Sequence, residues 1–339
     1  MHKQMLNELH LAFVIRPHGP ILIKSGHESG ADPTLVDMNF VRLDHAALAR
    51  STVYLPGSSL KGTVRSYCEK IARTVAEGVQ RRPPLSCNPL GNSDDWHRPE
   101  YACGRWFDHQ KSKEVTSAQK YRDSCSICRI FGNTALGSHL RFSDAYPVDP
   151  AHPDDLTAFD AANATEQRDG VALDRISGAV AVGPFTLEVV TKGAFFGDLV
   201  LRNFQLWQVG LLAIALRDIA RERVPIGFSK SRGLGRVHLD YRELEVAYPG
   251  RFRPEYNGLN LSQSLLGVTC FLKPEAAAEY GYRKEDPLAL PADGELTDNG
   301  DYGRVAVTFR QGKAIEQLLE GCVGPWRAFV EEWRTQGGG

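Results

Sequence analysis

One helix constrains most of what this chain can fold into. Leu60, Val64, Tyr67, Cys68, Ile71 and Val75 recur at helical spacing. That spacing predicts a helix over about 58–77 with one apolar face. Leu55-Pro56-Gly57 ahead of it reads as a turn leaving an extended segment, and Ser58 stands in the N-cap position. Lys61 and Arg65 are four apart and share another face. A helix start with free N–H groups, the hydroxyls of Ser58 and Ser59 and two nearby cations is an anion site by geometry and by dipole. The same residues also suit a well-capped helix with a solvated basic face.

Composition narrows the class. A chain of 339 residues makes one large domain or two ordinary ones. Apolar content of 42% and charged content of 24% are those of a soluble globular protein. No apolar run approaches the roughly 20 residues of a membrane span. MHKQMLNELH lacks the basic-then-apolar layout of a signal peptide, so a cytoplasmic protein without membrane partners is expected. The net charge is −1, so binding to a polyanion must come from local patches. The seven cysteines are an odd number. In a reducing compartment they suggest metal before disulfides.

Four of those cysteines, Cys87, Cys103, Cys125 and Cys128, lie between Gly78 and Thr134, where periodicity is lost and prolines recur. Cys125-Ser126-Ile127-Cys128 is a chelating knuckle, and the two upstream cysteines complete a four-thiolate zinc set. His97 and His109 are substitute ligands; reduced thiols in an irregular loop are the alternative. Zinc is favoured because the segment has little apolar material, and a structural ion supplies on the order of 10 kcal/mol.

Residues 6–16 alternate as a strand, and 17–53 read as a long broken loop that carries His27, Glu28, Asp32 and Asp37. Residues 139–146 read as a short strand and 147–170 as acidic loop. The stretch 170–183 reads as small and flexible apart from Asp174 and Arg175. Residues 185–192 and 194–204 look like a hairpin around Lys192-Gly193. Trp207–Ile219 reads as a buried helix. The stretch 226–246 has Gly227, Gly233 and Gly235 interleaved with Lys230, Arg232 and Arg236. Its order is helix, glycine loop, strand, which is not that of a nucleotide loop. The glycines let backbone approach a partner, or simply bend the chain into a strand. The order of elements is βαββαβ, an α+β ferredoxin-like (RRM-like) core with a large insertion after the first helix. The tail adds expected strands at 265–272 and 304–310 and a helix near 313–333. Residues 255–303 hold nine acidic and three basic side chains, so this part should not face RNA.

On these residues, the chain resembles the CRISPR-associated RAMP superfamily, in which a glycine-rich loop precedes the last strand of a ferredoxin-like unit. YLPGSSLKGTVR is similar to the Pro-Gly-Ser-Ser-Leu-Lys-Gly-x-x-Arg motif of backbone subunits in type III effector complexes. FGNTALGSHLRFSDAY and ALDRISGAVAVG resemble their Arg-Phe-Ser-Asp stretch and their thumb segment. A four-cysteine insertion resembles that of the zinc-containing branch. The resemblance covers residues from about 6 to 246 and divides the chain into four parts. These are a core of 1–77 and 135–247, a zinc insertion of 78–134, a thumb-like segment of 148–183 and an extension of 248–339.

The resemblance implies a subunit that stacks with other RAMP subunits along a CRISPR RNA and cleaves complementary target RNA. Ser58, Ser59, Lys61 and Arg65 would hold guide backbone, with Lys230, Arg232 and Arg236 flanking, and Asp174 and Arg175 at the thumb base. GADPTLVD is similar to the family's catalytic loop. Asp32 would then hold Mg2+ or Mn2+ or orient a 2′-OH, with Asp37 as a second acidic position and His27 as an acid–base group. The alternatives are a non-catalytic RNA scaffold, and a metal-independent nuclease that processes precursor guide RNA.

Overall fold

The computed structural model describes residues 4–25, 38–45, 48–109 and 115–335. Strand β1 (Glu8–Pro17) is followed by a small hairpin, β2 (Arg42–His45) and β3 (Arg50–Val53), and then by helix α1 (Gly57–Val75). Three short helices occupy the insertion: α2 (Cys103–His109), α3 (Ser117–Arg122) and α4 (Ser126–Phe131). Next come β4 (Leu140–Phe142), α5 (Thr157–Asn163), β5 (Glu166–Leu173), β6 (Val180–Val189) and β7 (Phe195–Arg202). Helix α6 (Leu206–Ala220) and strand β8 (Val237–Pro249) complete the core. The extension holds four two-residue strands and a short helix: β9 (Glu255–Tyr256), β10 (Leu259–Asn260), β11 (Ser264–Leu265), α7 (Pro274–Glu279) and β12 (Leu288–Ala289). It ends with β13 (Glu295–Asn299), β14 (Arg304–Phe309), α8 (Gly312–Gly321) and α9 (Val323–Thr335).

The main sheet has the order β13-β14-β8-β1-β7-β4, with every pairing antiparallel. The four strands β8-β1-β7-β4 at one end of this order, with α1 and α6 between them in sequence, are the expected α+β ferredoxin-like arrangement. Leu9, Leu11, Phe13 and Ile15 of β1 are buried on the helix side, while Glu8, His10 and Ala12 alternate to the other side. That other face is polar: His10 meets Asp198 at 3.3 Å, Arg202 meets Glu8 at 2.5 Å and Arg310 meets Glu243 at 3.0 Å. No helix among the described residues is long and apolar enough to cross a membrane.

The core's second strand is β4, not 185–192. Residues 185–189 are extended as expected, but they belong to β6, whose partner is β5. Both long edges of β7 are taken by β1 and β4, so β6 has no place beside it. Residues 170–183 are thus part of a paired hairpin, and 147–170 contain α5 and the start of β5. Residues 42–45 and 50–53, expected within a loop, pair with each other as β2 and β3.

The extension is built into the core. Strand β14 pairs with β8, and α8 and α9 pack on α6. Trp207 stacks on Phe329 at 4.2 Å between ring centroids, with the planes 8° apart. Buried Asn7 donates to the carbonyls of Phe204 and Leu266 and accepts from the N–H of Phe204, joining the start of the chain, the entry to α6 and the extension. The expected strand 304–310 is β14, and the expected helix divides at Cys322 into α8 and α9. A strand over 265–272 does not form; Ser264–Leu265 pairs briefly with β12 and Val268–Phe271 makes a 3-10 turn.

Gly210 marks how close these layers are. A Cβ there would lie 2.0 Å from the carbonyl oxygen of Cys322 and 3.0 Å from Cβ of Trp326. In an isolated helix Gly→Ala gains about 1 kcal/mol. Here the clash is with backbone, so Gly210→Ala is expected to destabilise by about 1–3 kcal/mol. Urea unfolding of the two proteins checks this; a higher midpoint for the variant contradicts the close packing of α6 on the α8–α9 corner.

Candidate nucleic-acid interface and metal centre

Helix α1 begins one residue before Ser58. Pro56 occupies the N-cap position and makes no side-chain cap bond. Its ring favours the extended φ of −58° and ψ of 132° seen there. Gly57 is the first helical residue, because β4 passes directly over it. A Cβ on Gly57 would lie 2.5 Å from the carbonyl oxygen of Phe142. The capping group comes from the same strand exit: the N–H of Gly57 donates to Oδ1 of Asp144 at 2.7 Å, across 87 residues of sequence. Ser58 is therefore not the N-cap; it is exposed on the first turn.

A cleft of about 480 Å3 opens beside this helix start, lined by Ser58, Lys61, Ser138, Arg141 and Arg202 among others. Lys61 donates from Nζ to Oγ of Ser138 at 2.8 Å. Burial, and then Arg65, hold its ammonium below the usual lysine range. Arg202 is neutralised by Glu8. Among the described residues, neither Lys61 nor Arg141 is in an ion pair. The cleft thus offers two cations outside any ion pair, Arg141 lying within the field of Asp198, and the Ser58 hydroxyl, which suits a phosphate, while the helix N-terminus is already taken by the Asp144 carboxylate. Ser59 is half-buried, with its N–H on the Pro56 carbonyl at 2.9 Å. Arg65 turns away from the cleft. It donates to Oε1 of Glu69 at 3.0 Å, to the Gly132 carbonyl at 3.3 Å and to Sγ of Cys128 at 3.8 Å.

The glycine-rich loop is shaped by its backbone contacts. Gly227 and Gly235 have φ of +79° and +94°, and a Cβ at either would lie within 2.3 Å of a carbonyl oxygen. Phe228 and Gly235 donate to the carbonyls of Leu22 and Pro20 at 2.7 and 2.9 Å, which ties the loop to the chain leaving β1. Lys230 and Arg232 stand on an exposed 3-10 turn. Burial, and then Lys70 of α1, lower the Lys230 ammonium. Arg236 is paired with Glu222 at 2.7 Å, and Glu222 also meets His18 at 2.8 Å. Lys230 and Arg232 are therefore available to an anion, whereas Arg236 already has one.

The β5–β6 hairpin ends in a turn that Asp174 builds. Its Oδ1 accepts from the N–H of Ser177 at 2.6 Å, the hydroxyl of Ser177 at 2.9 Å and the N–H of Ile176 at 2.9 Å. Those bonds, led by the Ser177 backbone, hold its carboxyl below the usual range. Arg175 is exposed beside it. Ile176 at the tip is 98% exposed, and Val171, Leu173 and Val180 are at least half exposed. Apolar side chains so placed on a paired hairpin mark a surface made for contact.

The four cysteines of the insertion converge. Sγ atoms of Cys87, Cys103, Cys125 and Cys128 all lie within 4.8 Å of one another and all four residues are buried. Cys87 and Cys128 sulfurs are 3.7 Å apart, against about 3.8 Å for the edge of a zinc–sulfur tetrahedron with 2.3 Å bonds. Cys125 caps α4, with its sulfur accepting from the N–H of Cys128 at 3.4 Å, and the Cys103 sulfur accepts from the N–H of Cys125 at 3.3 Å. Such N–H···S bonds suit thiolates. This set can hold a metal ion such as zinc. His97 stacks on Trp96 and His109 pairs with Asp94 at 2.8 Å, so neither substitutes for a cysteine. His27, Asp32 and Asp37 lie outside the described residues.

Three site residues were not singled out from the sequence: Ser138, Arg141 and Asp144. Their signal was the GSHLRFSD run itself, but which of its side chains reach α1 depends on how β4 crosses the helix. If the cysteines hold zinc, about one ion per chain copurifies with freshly reduced protein. Cys125→Ser, or stripping by a strong chelator, then opens residues 78–134 to proteolysis while the β-sheet core resists. Full protease resistance after complete metal removal counts against a structural ion.

The RAMP superfamily model matches residues 18–238, which is most of the core and the whole insertion. No curated protein matches the chain. The match spans helix α1, the cysteine set, the exposed hairpin and the glycine-rich loop, and on that extent the chain belongs to the RAMP superfamily of CRISPR-associated proteins.

Proposed function

We propose that this chain is a backbone subunit of a type III CRISPR effector complex that binds the guide RNA and cleaves complementary target RNA. Family membership supports a CRISPR-associated RNA-binding subunit. The observation that carries the finer reading is the cleft at the start of α1, where the Pro-Gly-Ser-Ser-Leu-Lys run meets the Arg-Phe-Ser-Asp run. In this reading Ser58, Lys61 and Arg141 hold one phosphate of the guide, and Lys230 and Arg232 hold backbone further along. Contacts of this kind fix register and leave sequence reading to base pairing. The hairpin tip, with Ile176 bare, is shaped to wedge between bases, and an apolar wedge unstacks a step at a cost of a few kcal/mol. Other RAMP subunits would cover its exposed flanks.

Asp32 is the proposed catalytic carboxylate. Beside RNA backbone a carboxylate is unfavourable unless a cation intervenes, so the loop GADPTLVD would recruit Mg2+ or Mn2+ and promote in-line attack by the 2′-OH. Asp37 and His27 are proposed to assist. Zinc at the four cysteines is structural in this scheme.

Two measurements test it. Lys61→Ala with Arg141→Ala should weaken binding of unrelated single-stranded RNAs alike and make the salt slope shallower by about 0.7 for each phosphate no longer neutralised. A weakening that follows guide sequence means that these residues read bases. In the assembled complex, Asp32→Ala or EDTA should abolish cutting of a guide-matched target and leave target binding nearly unchanged. Undiminished cleavage by Asp32→Ala leaves the chain a scaffold.

A further inference from the structure

The cysteine set is gripped from outside by one face of α1. Arg65, Glu69 and Arg73 are each four residues apart and form a ladder along the helix. Glu69 is buried and accepts from Arg65 at 3.0 Å through Oε1 and from Arg73 at 3.2 Å through Oε2. The far side of each arginine holds a metal-site residue: Arg65 donates to Sγ of Cys128 at 3.8 Å, and Arg73 donates to the carbonyl of Cys87 at 2.9 Å. Cys128 and Cys87 are also the two cysteines whose sulfurs are 3.7 Å apart.

We propose that Arg65, Glu69 and Arg73 position the metal centre, and that through Arg65 and the segment 132–138 the centre in turn sets the RNA cleft. Arg65 then serves the metal and not a phosphate. This rests on the RNA-binding reading above only in its second half.

Electrostatics favours it. A divalent ion held by four thiolates leaves a net charge of about minus two. Lys61 is one helical turn from Arg65, whose guanidinium stands against Cys128 and offsets part of that charge. Turning Arg65 out to a phosphate would break its bonds to Glu69, Gly132 and Cys128 and leave Glu69 buried with one partner, which is costlier than one screened phosphate contact returns.

The mechanical link is equally direct. The segment after α4 begins at Gly132, whose φ is +81° and whose carbonyl accepts from Arg65. It is folded on itself by Oδ1 of Asn133, which accepts from the N–H groups of Ala135 and Leu136 at 2.8 and 2.9 Å. It ends at Ser138, whose hydroxyl accepts from Lys61. Metal at Cys125 and Cys128 fixes α4, α4 fixes this ridge, and the ridge aims the Lys61 ammonium. Partners that orient metal ligands in this way typically account for a 10–100-fold change in metal affinity.

The test uses the full chain with Arg65→Lys, Arg65→Gln and Glu69→Gln, and two readouts. Zinc transfer to a chromogenic chelator should rise about 10–100-fold over wild type, and the thiolate-to-metal charge-transfer bands of cobalt-substituted protein should shift. Arg65→Lys keeps the charge and the stem, so the test stays readable if Glu69→Gln does not fold. Binding of a single-stranded RNA of arbitrary sequence should weaken with an unchanged salt slope, in contrast to the fall of about 0.7 that follows when a phosphate is no longer neutralised. Zinc retention equal to wild type in all three variants overturns the proposal, as does a slope that falls by about 0.7 in the Arg65 variants with zinc retention intact. Absence of RNA binding by wild type would sink the functional reading, while the zinc arm still decides the role of the ladder.

Discussion

The contact between β4 and the first turn of α1 governs the functional half of this molecule. Gly57 has no Cβ, so the strand can pass with its carbonyl in the space that a side chain would fill. Asp144, just beyond the strand, then reaches the N–H of Gly57 and caps the helix. A cap of this kind contributes about 1 kcal/mol. Its larger effect is geometric, because it locks the second core strand to the helix whose first turns line the cleft. Ser138 and Arg141 enter the cleft only because β4 is held there.

The same helix serves two neighbours along its length. Its first turns face the cleft through Ser58 and Lys61, and its next turns face the cysteines through Arg65, Glu69 and Arg73. Its apolar stripe, Leu60, Val64, Cys68 and Ala72, is buried against the core, where α1 packs on α6. A helix committed on three sides has little freedom to shift. The insertion is anchored to the core both by this charged ladder and by buried apolar side chains of its own, among them Leu85, Tyr101, Phe107, Ile127, Ile130 and Phe131.

The extension does a different job. Its strand β14 covers the β8 edge, and α8 and α9 bury Trp207. This protects an edge that would otherwise be open to pairing with another chain. The opposite edge, β4, is only three residues long and lies at the cleft. The two edges of the sheet thus differ: one is carried outward to the exposed strand β13, and the other, β4, is three residues long.

The sequence alone determined the α+β class, the helices near 58–77 and 207–219, the last core strand and the cysteine set, because each rests on local periodicity or ligand chemistry. It also marked Ser58, as an N-cap that the structure gives to Pro56, and Lys61, which by spacing shares a helix face with Arg65. What it could not decide was pairing. Residues 185–189 have the alternation of a strand whichever partner they take, and only the occupied edges of β7 send them to β5. The same holds for charge. Lys61, Arg65 and Arg236 look alike as cations near a motif, yet Arg65 is drawn to Glu69 and Cys128, Arg236 to Glu222, and Lys61 is left to the cleft. Which carboxylate or sulfur lies within reach of a cation depends on residues tens of positions away, and only the tertiary structure brings them together.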